Sequence, residues 1–175
     1  MMNIEGYIAC ICEGNAESAI IDLLLDNNLL SFSRENMLEN EVIRCRSGKQ
    51  FEERYLRKQF DREITIIRIL DSRKEKFKLS KAYEKKVKVI NVVTAPEIEM
   101  LIIHSEKKYQ EYQKSRKKPS EFCKENLKMH NVKSYDFVYK YFSNIEILIG
   151  AIKNYHEKAN IDKNEYSLND LLKKI

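Results

Sequence analysis

The sequence is poor in the residues that interrupt regular structure, with only 4 Gly and 2 Pro among its 175 residues. Such a composition leaves little material for flexible linkers or for an all-β fold with many turns. The longest apolar runs, IIDLLL, ITIIRIL, VKVINVVT and MLII, fall far short of the roughly 20 residues of a membrane span. The N-terminus also lacks a basic stretch followed by an apolar segment and a small-residue cleavage site. We therefore expect a cytoplasmic protein that makes no contact with a membrane.

Several motifs that mark common chemistries are absent from the sequence. It contains no G-x-x-x-x-G-K-[ST], no G-x-G-x-x-G and no G-x-S-x-G, which argues against an NTP-hydrolysing domain and against a serine hydrolase. Four cysteines are present, but they form no C-x-x-C pair and no Cys/His cluster with zinc spacing. We predict that Cys10, Cys12, Cys45 and Cys123 are buried free thiols, as is usual in a reducing cytosol.

Apolar segments that alternate with helical patterns predict an α/β fold with a mostly parallel sheet. The predicted strands are YIACIC (7–12), the short EVIRCR (41–46), ITIIRIL (64–70) and VKVINVVT (87–94). Helical spacing predicts helices over 15–30, 48–60, 97–104, 105–115, 119–127, 134–142, 144–159 and 167–174. The sequence thus predicts an α/β domain over 1–104 with a helical C-terminal region over 105–175 packed on it as a single unit.

Charge is distributed unevenly along the chain. Residues 1–43 carry one basic side chain against eight acidic ones, whereas residues 44–88 carry sixteen basic against seven acidic ones. This segregation suits an acidic, cation-collecting edge beside a surface that attracts a polyanion. A lysine-rich surface that only keeps the protein in solution explains the charge equally well.

Acidic side chains follow three of the predicted strands, and ligands of parallel sheets bind beyond those strand ends. Glu13 follows the first strand, Asp71 follows the third, and Glu97 and Glu99 follow the fourth. Glu17 lies one helical turn beyond Glu13. Each acid alone is explained by a loop or by the dipole of a helix N-terminus. Together, carboxylates held close require protons or cations between them, and oxygen ligands suit Mg²⁺ or Mn²⁺.

We therefore predict a metal site formed by Glu13, Glu17, Asp71 and Glu99 at this edge of the sheet. A cation there would orient a phosphodiester and activate a water molecule. Glu13, Asp71 and Glu99 are the residues predicted to take part in catalysis.

Three segments carry a resemblance to Toprim domains. CEGNAE (12–17) resembles the first Toprim motif, an apolar strand that ends in Glu-Gly, and its Glu-Gly-x-x-Glu spacing is similar to that of OLD-type nucleases. IRILDSR (67–73) occupies the place of the second motif, Asp-x-Asp at a strand end. TAPEIEMLIIH (94–104) resembles the Asn-Pro-x-x-Glu-x-x-Leu-Leu stretch of the RloB-like proteins, a Toprim-related group found among bacterial phage-defence genes. The resemblance covers residues 7–104.

The resemblance implies a Toprim-like, Rossmann-like domain over 1–104 that hydrolyses phosphodiesters with Mg²⁺, in phage defence or RNA processing. It implies Glu13 as general acid/base or ligand and Asp71 as a ligand, and it aligns Glu99 with the glutamate of the last motif. Arg73 stands where the family has its second aspartate and would place a cation beside the metal. Glu17 and Glu99 either compensate for this loss, or the site binds without cutting. Two alternatives stay open: a non-catalytic nucleic-acid-binding or sensor module, and a subunit that acts beside a partner ATPase.

A basic segment next to this edge is the predicted nucleic-acid surface, since cations can follow a phosphate backbone. Its members are Arg68, Arg73, Lys74, Lys76, Lys78 and Lys81. Phe77 and Tyr83 could stack on bases, although the anchoring of a loop to the core explains them better. In the tail, Lys133 and Lys153 could each reach the site to stabilise transition-state charge, and their spacing does not select between them. His104 follows an apolar run and is predicted to be a core or rim histidine.

Overall fold

Three parallel strands form the central sheet of a computed structural model, which describes residues 4, 6–58, 60–74, 76–163 and 165–173. The strands are β1 (Tyr7–Cys12), β2 (Ile64–Leu70) and β3 (Val87–Val93), in the spatial order β1-β2-β3. Cys12 pairs with Ile69 and Ile69 pairs with Val92, so all three strands end at the same edge. The strands predicted over 7–12, 64–70 and 87–94 and their parallel arrangement are confirmed.

The short strand predicted over 41–46 is absent from the described chain, and that prediction was wrong. Ile43 makes only an isolated parallel bridge to Ile11. Its backbone N–H donates to the carbonyl of Cys10 at 2.8 Å, and its carbonyl accepts from the N–H of Cys12 at 3.2 Å. Pairing at one residue does not make a ladder, so this segment covers the outer edge of β1 as irregular chain.

Helices cover both faces of the sheet. Between β1 and β2 lie α1 (Asn15–Asp26), two 3₁₀ turns (Arg34–Asn36 and Leu38–Asn40), α2 (Gly48–Phe51) and a π-helical turn (Glu52–Leu56). After β3 come α3 (Met100–Ser105), α4 (Tyr109–Ser115), α5 (Pro119–Glu125), α6 (Tyr135–Tyr141), α7 (Ile145–Lys158) and α8 (Leu168–Leu171). Most are shorter than predicted, and α3 begins three residues later than expected. Among the described residues, no helix combines the length and the apolar character needed to cross a membrane.

The two faces of the sheet carry separate apolar cores because alternate residues of a strand point to opposite sides. Ile8 and Cys10 pack in a first core with α1, α3 and the C-terminal helices, whereas Ala9 and Ile11 face α2 in a second core. The first core joins residues from both halves of the chain, such as Ile152 in α7. All four cysteines are buried and free, as predicted.

Candidate functional site

Four carboxylates from three places in the chain meet at the carboxyl edge of the sheet, and we call them the carboxylate cluster: Glu17, Asp71, Glu97 and Glu99. Asp71 directly follows β2, Glu17 lies in the first turn of α1, and the other two lie between β3 and α3. Glu17 interacts electrostatically with Asp71, and Asp71 interacts with both Glu97 and Glu99. The edge of the sheet where the sequence predicted a site therefore does collect acidic side chains.

Glu17 and Asp71 form the centre of the cluster, because their side chains are hydrogen-bonded to each other. Glu17 is 5% exposed, and burial together with the negative charge of Asp71 raises the pKa of Glu17 to about 7. Burial also raises the pKa of Asp71. The hydroxyl of Thr94 donates to Asp71 Oδ1 at 2.7 Å and so fixes that carboxylate from the side of β3. The raised pKa of Glu17 therefore favours a proton shared by the two acids near neutral pH.

The position of the Glu17 side chain depends on Gly14. A Cβ atom at position 14 would overlap Oε2 of Glu17, whose carboxyl group folds back against the turn. The φ of Gly14 is −109°, which any residue adopts, so the glycine is needed for this close approach and not for backbone conformation. The spacing Glu-Gly-x-x-Glu thus has a local physical reason: the glycine makes room for the second glutamate.

Glu99 is the most deeply buried acid of the cluster, with 2% of its surface exposed. Burial raises its pKa to about 7. Its Oε1 lies 4.0 Å from Nζ of Lys133, whereas its Oε2 is buried without a hydrogen-bond partner in the described part of the chain. A buried carboxylate oxygen without a donor is uncommon in native structures and indicates room for a proton or a ligand.

Lys133, from the connection between α5 and α6, is the cation of the cluster. Its Nζ lies 3.3 Å from Oε1 of Glu97, and the other oxygen of Glu97 accepts from the N–H of Ser120 at 2.8 Å. Burial acts against the charge of Lys133, but Glu99 and Glu97 raise its pKa overall, so it remains protonated. The sequence left Lys133 and Lys153 as equal candidates, and the structure brings Lys133 to the site. Lys153 is exposed on α7.

Two residues of the site were missed or left in the background by sequence reasoning. Thr94 gave no signal beyond being the last residue of a predicted strand. Glu97 was noted at the strand end but not included among the predicted ligands, since only Glu99 matched the motif. Pro96, which lies between Thr94 and Glu97, supplies the one usable signal, because a proline directly after a strand marks the loop in which site residues lie.

Glu13 differs from the other predicted ligands in that its carboxylate forms an ion pair with a buried arginine. Its Oε1 lies 3.9 Å from Nη2 of Arg68, and its side chain is 27% exposed. Arg68 is only 2% exposed on the central strand, and its guanidinium lies 4.6 Å from the ring centroid of Phe77. Arg68 therefore lies inside the protein, and its assignment to the nucleic-acid surface was wrong. Both faces of β2 are covered, so a charged residue in this strand is not exposed.

Arg73 also has a structural partner. Its Nε donates to both carboxylate oxygens of Glu165 at 2.9 Å, and its Nη2 donates to the carbonyl of Asn160 at 2.6 Å. The guanidinium thus ties the loop after β2 to the C-terminal segment. Arg73 was expected to act as the cation beside a metal. In the structure it pairs with Glu165 instead, and Lys133 is the cation that pairs with Glu97 and Glu99 of the carboxylate cluster.

The remaining lysines of the basic segment are exposed in the connection between β2 and β3, and we call them the lysine surface: Lys74, Lys76, Lys78 and Lys81. Two of them, with Lys49, line an open cleft of ≈ 650 Å³ on the α2 side of the sheet. Phe77 is half-buried and packs edge-on against Phe51 with 6.2 Å between centroids. Phe77 and Tyr83 both pack against the second core, which confirms that they anchor this segment.

The fit of a metal ion to these residues depends on the Glu17–Asp71 pair. Across the described ranges, no three His, Cys, Asp or Glu side chains stand in an arrangement able to hold a metal ion as they are. Mg²⁺ commonly takes one or two carboxylates and keeps several of its waters. The carboxyl groups of Glu17 and Asp71 are in contact, and the Glu99 oxygen that lacks a partner is near them. This arrangement suits a cation that keeps some of its waters, and does not suit one that is coordinated by protein atoms alone.

Comparison with known proteins adds no relative to this chain. No protein-family model matches the sequence. No curated protein and no solved structure matches it either. The observed fold is α/β with a parallel sheet flanked by helices, compatible with a Rossmann-like arrangement, and function has to be argued from the site.

Proposed function

We propose that this chain is a Toprim-like, Mg²⁺-dependent nuclease that hydrolyses phosphodiester bonds of nucleic acid. The observation that carries the proposal is the hydrogen-bonded pair of Glu17 and Asp71 at the carboxyl edge of a parallel sheet. A buried and a half-buried acid that share a proton can exchange it for a divalent cation, because the cation neutralises both. Asp71 follows β2, where the sequence resembles the second Toprim motif, and Glu17 is the second glutamate of the Glu-Gly-x-x-Glu spacing that resembles OLD-type nucleases.

The residues around the pair have roles that suit hydrolysis of a phosphodiester. A divalent cation bound there would polarise a phosphate oxygen of the substrate and lower the pKa of a bound water molecule. Thr94 holds Asp71 in place through its hydroxyl. Glu99, with a pKa of about 7, is able to take or give a proton near neutral pH. Lys133 brings a positive charge to the negative charge that develops on the phosphate.

The choice of a polyanionic substrate follows from the charge of the chain. Residues 44–88 carry nine more basic than acidic side chains, and the lysine surface projects from them into solvent. Exposed lysines bind phosphates without reading sequence, which suits a nuclease as well as a binding module. A role in phage defence or RNA processing, a cytoplasmic location suited to four free thiols, and a partner ATPase belong to the same proposal.

The decisive experiment incubates the wild-type protein with DNA, structured RNA and tRNA in Mg²⁺, Mn²⁺ or EDTA. We expect cleavage of at least one substrate with a divalent cation and none in EDTA. Asp71→Asn should reduce the rate by about 10² or more, while the exposed Asp136→Asn in α6 should leave it unchanged. If the folded wild-type protein leaves every substrate intact with both ions, the enzyme proposal is wrong.

One observation favours the non-catalytic module instead. The ammonium of Lys133 already lies against Glu97 and Glu99, and so supplies part of the charge that a cation would bring. Lys133→Gln separates the two functions. In a nuclease it should slow cleavage about tenfold or more while metal affinity rises, with Lys153→Gln as the unaffected control. In a module without metal, it should change nucleic-acid binding and leave no metal affinity to measure.

A further inference from the structure

A cavity lies beside the carboxylate cluster, where α3, α4 and the end of α7 meet, and we call it the aromatic pocket. Its volume of ≈ 310 Å³ falls at the lower end of the roughly 300–1,000 Å³ typical of small-molecule sites. Aromatic rings and cations dominate its side chains, which include Arg73, His104, Tyr109, Tyr112, Tyr155 and Lys158. This composition differs from that of an ordinary gap in an apolar core.

Two buried rings fix one side of the pocket. His104 stacks on Tyr109 with 4.8 Å between centroids and an angle of 18°, and it meets the edge of Tyr155 at 6.2 Å and 84°. The hydroxyl of Tyr155 donates to the carbonyl of Ala95 at 2.7 Å. Tyr109 and the neighbouring Tyr112 are only half-buried, with 6.5 Å between their centroids. The half-buried pair thus adds accessible aromatic surface to a rigid wall.

His104, which lines the pocket, has a buried ring nitrogen that the described residues do not use. The residue is 6% exposed, and its Nε2 is buried without a hydrogen-bond partner in the chain as described. Buried polar atoms nearly always have a partner, so a ring nitrogen without one behind the pocket wall is uncommon. Burial, and then the charge of Lys158, lower the pKa of His104. The ring is therefore neutral at neutral pH, and its nitrogen donates or accepts according to the tautomer.

Two cations stand at the opening of the pocket. The guanidinium of Arg73 is held in place by Glu165 and by the carbonyl of Asn160. Lys158 is exposed at the end of α7 and forms no ion pair with another described residue. A ligand in the pocket therefore meets the ammonium of Lys158, with Arg73 beside it already paired to Glu165.

We propose that the aromatic pocket binds one nucleotide, with its base against Tyr109 and Tyr112 and its phosphate toward Arg73 and Lys158. Aromatic side chains stack on any base, and cations form strong hydrogen bonds with phosphate. A bare phosphate would leave the rings unused, and an uncharged aromatic ligand would leave the cations unused.

The pocket shares a wall with the carboxylate cluster. Ala95 and Pro96 line the pocket, and they lie in the chain between Thr94, which binds Asp71, and Glu97. Ala95 and Pro96 form the turn that directly joins these two residues, so a nucleotide in the pocket lies next to the acids. The idea that this nucleotide positions a strand for cleavage rests on the proposed function, whereas binding of the nucleotide does not.

The test measures binding of AMP, UMP, ribose 5-phosphate and inorganic phosphate by calorimetry in EDTA, where no cleavage takes place. We expect AMP and UMP to bind about tenfold or more tightly than either ligand without a base. The double variant Tyr109→Leu/Tyr112→Leu should lose at least tenfold in affinity. The matched control is Tyr139→Leu in α6, whose hydroxyl bonds Asp26, and it should bind like wild type.

The two sources of a nucleotide, free in solution or part of a strand, are separated by competition. If AMP displaces a labelled single-stranded oligonucleotide, the pocket takes a unit of a strand; if AMP binds without displacing it, the pocket takes the free nucleotide. Either result supports the proposal. Absence of nucleotide binding by wild type, or equal binding by the double tyrosine variant, overturns it. Binding is measured in EDTA and cleavage separately with Mg²⁺ or Mn²⁺, so nucleotide binding together with no cleavage in the metal-containing assay would overturn the proposed function and leave the pocket intact.

Discussion

Thr94 and Asp71 join the ends of two neighbouring strands. The hydroxyl of Thr94 donates to Asp71 Oδ1 at 2.7 Å, and it also lies 3.1 Å from the carbonyl oxygen of Leu70. Thr94→Val removes this donor with little change in shape. We expect the pKa of Asp71 to rise further, the free energy of unfolding to fall by about 1 kcal/mol, and any Mg²⁺ affinity to weaken. Thr65→Val, at a buried threonine of β2 away from this edge, serves as the control. Equal metal binding by both variants would contradict the role given to Thr94.

The raised pKa of Glu17 makes the stability of the protein depend on pH. Because folding raises this pKa from 4.5 to about 7, the stabilisation by protonation is complete below pH 4.5 and lost as the pH rises through 7. The loss is about 3 kcal/mol for this group. Glu17→Gln mimics the protonated acid, so the variant should be more stable than wild type at pH 8 and similar at pH 4.5. Denaturant unfolding at both pH values measures this, with the exposed Glu157→Gln of α7 as control.

Addition of Mg²⁺ should offset the repulsion between the carboxylates of Glu17 and Asp71 at high pH. At a concentration of about 100 Kd, a ligand of the folded state adds ≈ 2.7 kcal/mol, which corresponds to a rise in Tm of roughly 5–10 °C for a chain of this size. We expect the rise at pH 8, a smaller one at pH 5.5 where the pair holds its proton, and none for Asp71→Asn. A thermal melt that does not change with Mg²⁺ or Mn²⁺ at pH 8 argues against the metal site.

Gly14→Ala tests whether the position of the Glu17 carboxyl group matters. The backbone at position 14 accepts alanine, but the added Cβ displaces the Glu17 side chain. We expect a folded protein whose Mg²⁺ response and nuclease activity fall about as much as in Glu17→Gln. Gly150→Ala in α7 is the matched control, since a Cβ there meets nothing within 4 Å. It should retain activity and gain up to about 1 kcal/mol from better helix propensity.

The lysine surface should bind nucleic acid mainly through phosphates. Replacing Lys74, Lys76 and Lys78 with Glu should weaken binding to DNA and RNA alike and flatten the dependence of log affinity on log salt. Filter binding or fluorescence anisotropy over a salt series measures both quantities. Replacing the exposed Lys124, Lys128 and Lys140, which lie in or near α5 and α6, provides a control with the same charge change. Unchanged affinity of the first variant would reduce the lysine surface to a solvated one.

The sequence predicted those features that follow from local chemistry. Strands β2 and β3 are apolar, β-branched runs, and Asp71 lies at the site because it directly follows one of them. Glu17 could be placed because one helical turn from the strand end points back to the same edge.

Features that depend on distant contacts could not be predicted in this way. Arg68 was predicted to bind nucleic acid because it lies near other basic residues in the sequence. Only the tertiary fold shows that it is buried beside Phe77. Lys133 could not be distinguished from Lys153 because the path of the tail decides which lysine reaches the cluster. The strand predicted over 41–46 failed because strand pairing depends on the partner and not on the apolar pattern alone.

The ties between the tail and the sheet edge set a limit on how this chain can be shortened or recombined. Lys133 pairs with Glu97, Tyr155 bonds the carbonyl of Ala95, and Glu165 holds Arg73. The acids come from the first hundred residues, whereas the lysine that pairs with Glu97 and Glu99 comes from the tail. A graft of the strand ends onto another scaffold would move the acids without Lys133, so the grafted site would need a new cation beside Glu97 and Glu99.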